Sequence, residues 1–308
     1  MRVGTRRSAL ALAQAEVIAT ALRERGLPVE IVAMRTEGDR LAEVPLSEAG
    51  GKGLFVHEIE EALLAGRIDI AVHSLKDLPA ELPSELCLAA LPRREDPRDV
   101  LITRKGGRLH ELPPRAVVGT SSPRRRALVL AARPDVSVEP LRGNVDTRLR
   151  KLESGLYDSI ILAAAGLRRL GVEPAHAEVL APEEFIPAVG QGIIAVQARR
   201  ADEKTLAALA PLDDALTRAC GEAERAFLAR LGASCNSPLA AHATLAHGAG
   251  TLRLVALIAS EDGRAVMRAE TEGSVARADA VGRGLAESML GRGAAELAPL
   301  RPIARSIW

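Results

Sequence analysis

The sequence predicts an α/β chain of two alternating blocks followed by a third, smaller α+β unit. Three observations carry this. Short apolar runs alternate with helical spacings from Arg2 to about Leu170, the pattern of strands joined by helices. The charged stretch Arg93-Arg94-Glu95-Asp96-Pro97-Arg98-Asp99 divides that alternation in two. From Asp213 the grammar changes to a long helix, three apolar or alternating segments and a closing helix. A length of 308 residues agrees, since domains run to roughly 100–150 residues each.

In the first block, residues 2–5 read as a strand. Ser8 offers a capping hydroxyl for a helix reaching about Arg25, with Leu10, Ala13, Val17 and Ala21 at helical spacing and Gly26 beyond its end. Residues 29–36 form a second strand, residues 37–53 a polar glycine-bearing loop, residues 55–64 a helix and residues 69–73 a buried strand. In the second block, strands are expected over 117–119, 136–141 and 159–163, with helices over 123–132, 145–152 and 164–170. Ser122 before Pro123 is a strong helix start, because proline at the first position needs no N–H partner. Such alternation implies a parallel sheet with ligands at the carboxyl ends of its strands. Residues 193–197 read as a strand with no local helix, which can return to the first sheet. In the last unit, a helix spans about 213–231, strands 239–246, 252–259 and 265–271, and a helix 275–290. No fixed-period repeat is present.

Composition excludes several classes. Lys+Arg at 41 against Asp+Glu at 40 leaves +1, so no global field marks a nucleic-acid binder. Aromatics at 2% leave few platforms for stacking bases. No apolar run reaches the roughly 18–20 residues of a membrane span, and the N-terminal segment lacks the apolar core of a signal peptide. The expected compartment is the cytoplasm, with no membrane, nucleic-acid or obligate protein partner. Three cysteines without a Cys-x-x-Cys pair and scattered histidines point to no disulfide framework and no metal site.

Residues 115–169 hold eleven basic residues against five acidic ones. Arg124 and Arg125 fall in the first turn of a helix, where cations oppose the dipole and a docking anion would offset them. Arg142-Gly143-Asn144 follows a strand, and Arg148 lies one turn into the next helix. Arginines recurring at strand ends favour a small or chain-like polyanion, because a guanidinium grips carboxylates in a bidentate fork. A solvated basic face is the plainer alternative. His73-Ser74-Leu75-Lys76-Asp77-Leu78-Pro79 also follows a strand, and there Asp77 either pairs with Lys76 or stays free to meet a cation. Gly50-Gly51-Lys52-Gly53 lacks phosphate-loop spacing and reads as a flexible loop with one cation. Cys235, in Gly232-Ala233-Ser234-Cys235-Asn236-Ser237-Pro238, sits in a loop where a covalent role is open to it, whereas Cys87 and Cys220 read as packing. A non-enzymatic binder of a small anion is a rival that explains the two alternating blocks and the arginine-rich strand ends, but not a third unit carrying Cys235 nor the lack of an export signal.

Taken in order, several segments resemble the porphobilinogen deaminase (hydroxymethylbilane synthase) family. They are Thr5-Arg6-Arg7-Ser8, Gly51-Lys52-Gly53-Leu54-Phe55, His73 to Pro79, Arg94 to Asp99, Gly119-Thr120-Ser121-Ser122 with Arg124-Arg125, Leu141-Arg142-Gly143-Asn144, Ala165-Gly166-Leu167, Pro187-Ala188-Val189-Gly190-Gln191-Gly192 and the Cys235 loop. The resemblance implies two bilobal periplasmic-binding-protein-like domains and a third α+β domain: residues 1–92 with 193–211, an Arg-rich 98–187, and 213–308. It implies a monomeric transferase that condenses four porphobilinogen molecules, each losing ammonia, on a dipyrromethane cofactor held by a thioether to Cys235. Water then releases hydroxymethylbilane. By resemblance, Arg6, Ser8, Lys52, Lys76, Ser122, Arg124, Arg125, Arg142, Arg148, Arg169 and Gln191 meet cofactor and substrate carboxylates, and Asp77 stabilises the methylene-pyrrolenine cation left by ammonia. Cofactor and product together bring twelve carboxylates, which fixed cations must neutralise. Residues 43–55 would form a lid, with Phe55 either stacking on a pyrrole or packing in the core. Glu37, Glu48 and His57 stand where the family commonly has cations, which leaves Lys52 as the lid's expected positive charge.

Overall fold

The computed structural model describes residues 1–36, 56–234, 237–246, 250–298 and 300. Two five-stranded sheets and one three-stranded sheet organise them. The first five-stranded sheet contains β1 (Arg2–Arg6), β2 (Glu30–Met34), β3 (Ile70–Ser74), β4 (Leu86–Ala90) and β10 (Ile194–Arg199), in the order β2-β1-β3-β10-β4. The second contains β5 (Asp99–Thr103), β6 (Val117–Gly119), β7 (Ser137–Glu139), β8 (Ser159–Ala163) and β9 (Ala177–Val179), in the order β7-β6-β8-β5-β9.

The two sheets share one topology, although the sequence shows no repeat. In each, three strands run parallel and a fourth enters antiparallel beside the third. The purely parallel sheet expected from the alternation is therefore corrected to a mixed one. The antiparallel strands, β10 and β5, are the ones reached immediately after the chain crosses from the other sheet. The crossing sets their direction, and no strand–helix–strand unit precedes them. β5 and β10 are nevertheless central and almost wholly buried, as their near-continuous apolar runs require. Residue 193 onward does return to the first sheet, pairing with β3 and β4.

Helices cover the sheets. They are α1 (Ala9–Arg23), α2 (His57–Leu64), α3 (Pro123–Ala132), α4 (Val145–Glu153), α5 (Ala164–Arg169) and α6 (Glu203–Leu209). Ser8 caps α1 by accepting the Ala11 N–H, and Ser122 caps α3 by accepting the Arg125 N–H. Sequence spacing did not reveal β4, β5, β9 or α6. β9 has three residues, too few for a period, and β5 begins within the charged run 93–99 that reads as a boundary.

The third sheet is antiparallel, with β11 (Leu239–Ala246), β12 (Thr251–Ala259) and β13 (Val266–Ser274) in sequential order. One of its faces packs on α7 (Ala215–Arg230) and α8 (Ala278–Gly291) through Phe227, Leu254, Ile258 and Met289. Ala240, Leu257 and Ala259, pointing the other way, join the core of the second sheet with Leu101 and Val129. This alternation is the period-two pattern of a sheet buried on both sides. A short α9 (Ala294–Leu297) closes the described chain. Among the described residues no helix is long and apolar enough to cross a membrane.

Candidate active site

A cavity of about 1400 Å³ opens between the two five-stranded sheets. Its walls are the segments that leave the carboxyl ends of β1, β2 and β3 on one side and of β6, β7 and β8 on the other. Strand ends expose backbone and polar side chains beyond the sheet edge, which is why such sheets bind ligands there. The volume exceeds the roughly 300–1,000 Å³ usual for one small molecule. Among the described residues ten basic side chains line it (Arg6, Arg7, Arg35, Lys76, Arg125, Arg126, Arg142, Arg148, Lys151 and Arg169) against three acidic ones, Asp77, Asp146 and Glu261.

Asp77 reaches the cavity by a local device. After β3 the chain turns once as a 3-10 helix, Leu75–Asp77. At three residues per turn, Leu75 and Leu78 eclipse, and both are buried in one apolar cluster. Lys76 and Asp77 are thereby thrown to the cavity side, where Asp77 is exposed. The turn is pinned by Leu75 N–H donating to Ile193 O at 2.9 Å. Gly190 packs beneath it with φ +71°, and a Cβ there would lie 3.0 Å from the Lys76 nitrogen.

On the opposite wall, Ser122 and Arg125 stand at the start of α3, Arg142 at the end of β7 and Arg148 in α4. Arg148 Nε donates to Gly143 O at 2.7 Å. Gly143 has φ +114°, and its missing Cβ would meet Thr147 Cγ2 at 2.7 Å, so only glycine lets the turn close over Arg148. Lys151 Nζ donates to Arg142 O at 3.2 Å, and Arg169 to Gly192 O at 2.7 Å.

The cations crowd one another. Burial pushes Arg148 down to about 10, the positive charges of Arg125 and Arg142 add to this, and Asp77 opposes it. Burial likewise brings Lys76 down to about 8 against the pull of Asp77. Burial also lowers Arg142 and Arg169. Such a cluster is relieved by anions, and guanidinium forks suit carboxylates.

Of the residues expected to meet ligand carboxylates, the cavity brings together Arg6, Ser8, Lys76, Ser122, Arg125, Arg142, Arg148 and Arg169, with Asp77. Arg124 and Gln191 depart from that expectation. Neither lines the cavity; both turn to Asp99, whose side chain is fully buried. Arg124 donates to Asp99 at 2.7 Å and to Ile186 O at 2.8 Å. Gln191 Nε2 donates to Asp99 at 3.0 Å and to Pro97 O at 2.6 Å. The reason is electrostatic: a buried carboxylate needs partners, and Asp99 takes the nearest cations. Arg125 does both, holding Asp99 at 2.7 Å while touching the cavity. Lys52, Phe55 and Cys235, with the departures at Glu37 and Glu48, lie outside the described residues. His57 is exposed at the start of α2, 3.4 Å from Glu61.

Sequence reasoning missed Arg7, Arg35, Arg126, Lys151 and Asp99. Arg7 and Arg35 each immediately follow a strand, and β1 and β2 are in register, Arg6 opposite Met34. That strand-end rule, applied evenly, would have found both.

Comparisons with known proteins show which chains this one is similar to. Residues 1–207 match the family described as "Porphobilinogen deaminase, dipyromethane cofactor binding domain", and residues 218–291 the one described as "Porphobilinogen deaminase, C-terminal domain". The chain is similar to the porphobilinogen deaminase of Roseiflexus castenholzii, 53% identical over 268 residues that cover 86% of this chain and 88% of that one. To the porphobilinogen deaminase of Sorangium cellulosum it is 50% identical over 276 residues, covering 88% and 90%. Among solved structures, a periplasmic substrate-binding protein of an ABC transporter from Coxiella burnetii aligns at 17% identity and TM-score 0.42, covering 69% of this chain and 91% of that one. That likeness is too slight to bear on what the chain binds.

Proposed function

This chain belongs to the porphobilinogen deaminase family, and from that premise we propose that its cation-lined cavity is the chamber in which porphobilinogen units are joined. The enzyme is a transferase of tetrapyrrole synthesis: four porphobilinogen molecules condense with loss of four ammonia, and hydrolysis releases hydroxymethylbilane. Its cofactor is dipyrromethane, which when bound supplies the pyrrole carbon that the first incoming unit joins. The cavity's donor set fits such a group, because Arg125, Arg142, Arg148 and Lys76 crowd together with Asp77 as the one acid among them. Those four, with Ser122, would hold its acetate and propionate groups. Cys235 is our choice for its attachment.

The single observation that carries the reading is this inversion of sign: Asp77, an exposed carboxylate, stands close to the half-buried cations Lys76 and Arg148 in a cavity where cations predominate. Guanidinium forks on Arg142 and Arg148 orient ligand carboxylates and, with the charges of Arg125 and Lys76, neutralise a polyacid that would otherwise repel itself. The same cations would oppose the methylene-pyrrolenine cation that porphobilinogen becomes on losing ammonia. Asp77 offsets them at that point, favouring the charge more as it develops than before, which is what lowers a barrier. Its carboxylate oxygens can also carry a proton to the departing amine and take one from the coupled ring carbon. Lys76, adjacent in the turn, contributes a point charge for a carboxylate.

Arg6 and Ser8 bring the α1 N-terminus to the cavity, adding its N–H groups to the anion-binding wall. The same reading divides the chain into residues 1–92 with 193–211, residues 98–187 and residues 213–308.

The test is stoichiometric. Purified protein supplied with porphobilinogen is expected to release four ammonia for each linear tetrapyrrole formed. Porphobilinogen that binds without ammonia release would mark a binding protein instead.

A further inference from the structure

The two segments that cross between the five-stranded sheets, residues 91–98 and 180–193, lie side by side. Glu95 N–H donates to Gly192 O at 3.2 Å, and Arg94 Nε to Gln191 O at 2.8 Å. Below them sits Asp99, 0% exposed. Its two carboxylate oxygens hold Arg124 at 2.7 Å, Arg125 at 2.7 Å and Gln191 at 3.0 Å. Those partners continue outward: Arg124 to Ile186 O, Gln191 to Pro97 O and Arg125 to Ile161 O in β8. One carboxylate thus joins both crossings, the first turn of α3 and the centre of the second sheet.

We infer that Asp99 is a positioning residue for the polymerisation: with Gln191 it clasps the two crossings to α3, fixing the spacing of the sheets across the cavity and the angle at which Arg125 enters it. The inference rests on the function proposed above. A buried ion pair is often no more than structural. Here its partners are two inter-sheet connections and a helix that carries a cavity cation, so a change in sheet spacing strains it. Each addition brings two more carboxylates into the cavity, and the crossings are the segments that must absorb any accommodation. Asp99 itself touches no ligand, since it does not line the cavity.

Two variants of the full chain test this. Gln191→Met keeps length and volume but removes both side-chain donors, cutting the clasp without unbalancing charge. Asp99→Asn removes the shared counter-charge. Each is supplied with porphobilinogen, and the populations of enzyme carrying successive pyrrole units are read by intact mass, beside kcat, KM and the thermal midpoint. The clasp predicts that Gln191→Met folds with a midpoint within a few degrees of wild type, yet stalls partway. Enzyme with an incomplete chain accumulates, and kcat falls by up to roughly 10²-fold, the scale of a misplacement of about 1 Å. Asp99→Asn should stall at the same stage, more severely; if it does not fold, Gln191→Met decides alone. Wild-type populations and kcat in Gln191→Met or in folded Asp99→Asn overturn the inference. So does a uniform slowing with unchanged proportions, which is what a purely structural loss would give. Absence of any pyrrole-bearing species in the wild-type enzyme would refute the proposed function rather than the clasp.

Discussion

Arg148 Nε is committed to the carbonyl of Gly143 at 2.7 Å, which leaves the two terminal nitrogens of the same guanidinium for the cavity. A lysine at 148 would keep the charge but offer no such division of donors. Arg148→Lys is expected to fold normally and to raise KM for porphobilinogen roughly ten-fold or more, the range of one lost charge-assisted hydrogen bond. Steady-state kinetics beside a thermal melt checks this; an unchanged KM would remove Arg148 from ligand binding.

Asp77 is exposed and lies on a turn whose shape is set by the buried Leu75 and Leu78. Asp77→Asn should therefore leave the melting temperature nearly untouched. It should lower kcat by roughly 10²–10³, the scale for removing one preorganised electrostatic contact. Single-turnover ammonia release is the measurement, and a rate near wild type would exclude the carboxylate from the chemistry.

Burial brings Lys76 from the ordinary 10.5 down to about 8. As pH rises through about 8 the free enzyme loses this cation, so kcat/KM for a dicarboxylate substrate is expected to fall there. Stability should move the other way. The folded protein binds fewer protons than the unfolded chain between about 8 and the ordinary lysine value, so stability from this group rises with pH across that window. Lys76→Arg, which stays protonated, should abolish the alkaline limb of the kcat/KM profile. Persistence of that limb in the variant would assign it elsewhere.

Glu224 in α7 is fully buried and pairs with Arg94 at 2.6 Å, while accepting the N–H groups of Gly190 at 2.6 Å and Ala243 at 2.8 Å. It joins the third sheet to the inter-sheet crossings. Burial alone would raise this carboxyl; the charge of Arg94 overrides it and holds the group below its ordinary 4.5. A depressed carboxyl contributes stability that is present above its ordinary value and lost as pH falls towards its folded one. Glu224→Gln should cost about 3–5 kcal/mol at neutral pH, since it leaves Arg94 without its charge partner. The variant should also show a flatter acid branch. Denaturant melts at neutral and acid pH check both; equal acid sensitivity in the two proteins would contradict the assignment.

What was legible in the sequence was local. Ser122-Pro123 and Ser8 mark helix starts because a capping hydroxyl and a missing N–H act within one turn. The turn at Leu75–Asp77 follows a readable strand, and its cavity position follows from strand-end geometry. Asp99 was hidden because it lies in a charged run that reads as surface, and its partners come from 25 and 92 residues away. For the same reason Arg124 and Arg125 looked alike, being adjacent at one helix start. Only the fold decides that Arg124 turns inward to Asp99 while Arg125 also reaches the cavity. The mixed sheets escaped because strand direction in β5 and β10 is set by where the chain has come from, which apolar periodicity does not record.

A polycarboxylate pyrrole chain is proposed to grow in this cavity from a group tethered at Cys235. Intact-mass analysis of the purified enzyme, followed by peptide mapping, tests it most directly. The expected mass exceeds that of the sequence by two condensed pyrrole units, with the addition on the peptide containing Cys235 and absent from Cys235→Ala. Enzyme that turns porphobilinogen over while Cys235 carries no added mass would contradict it.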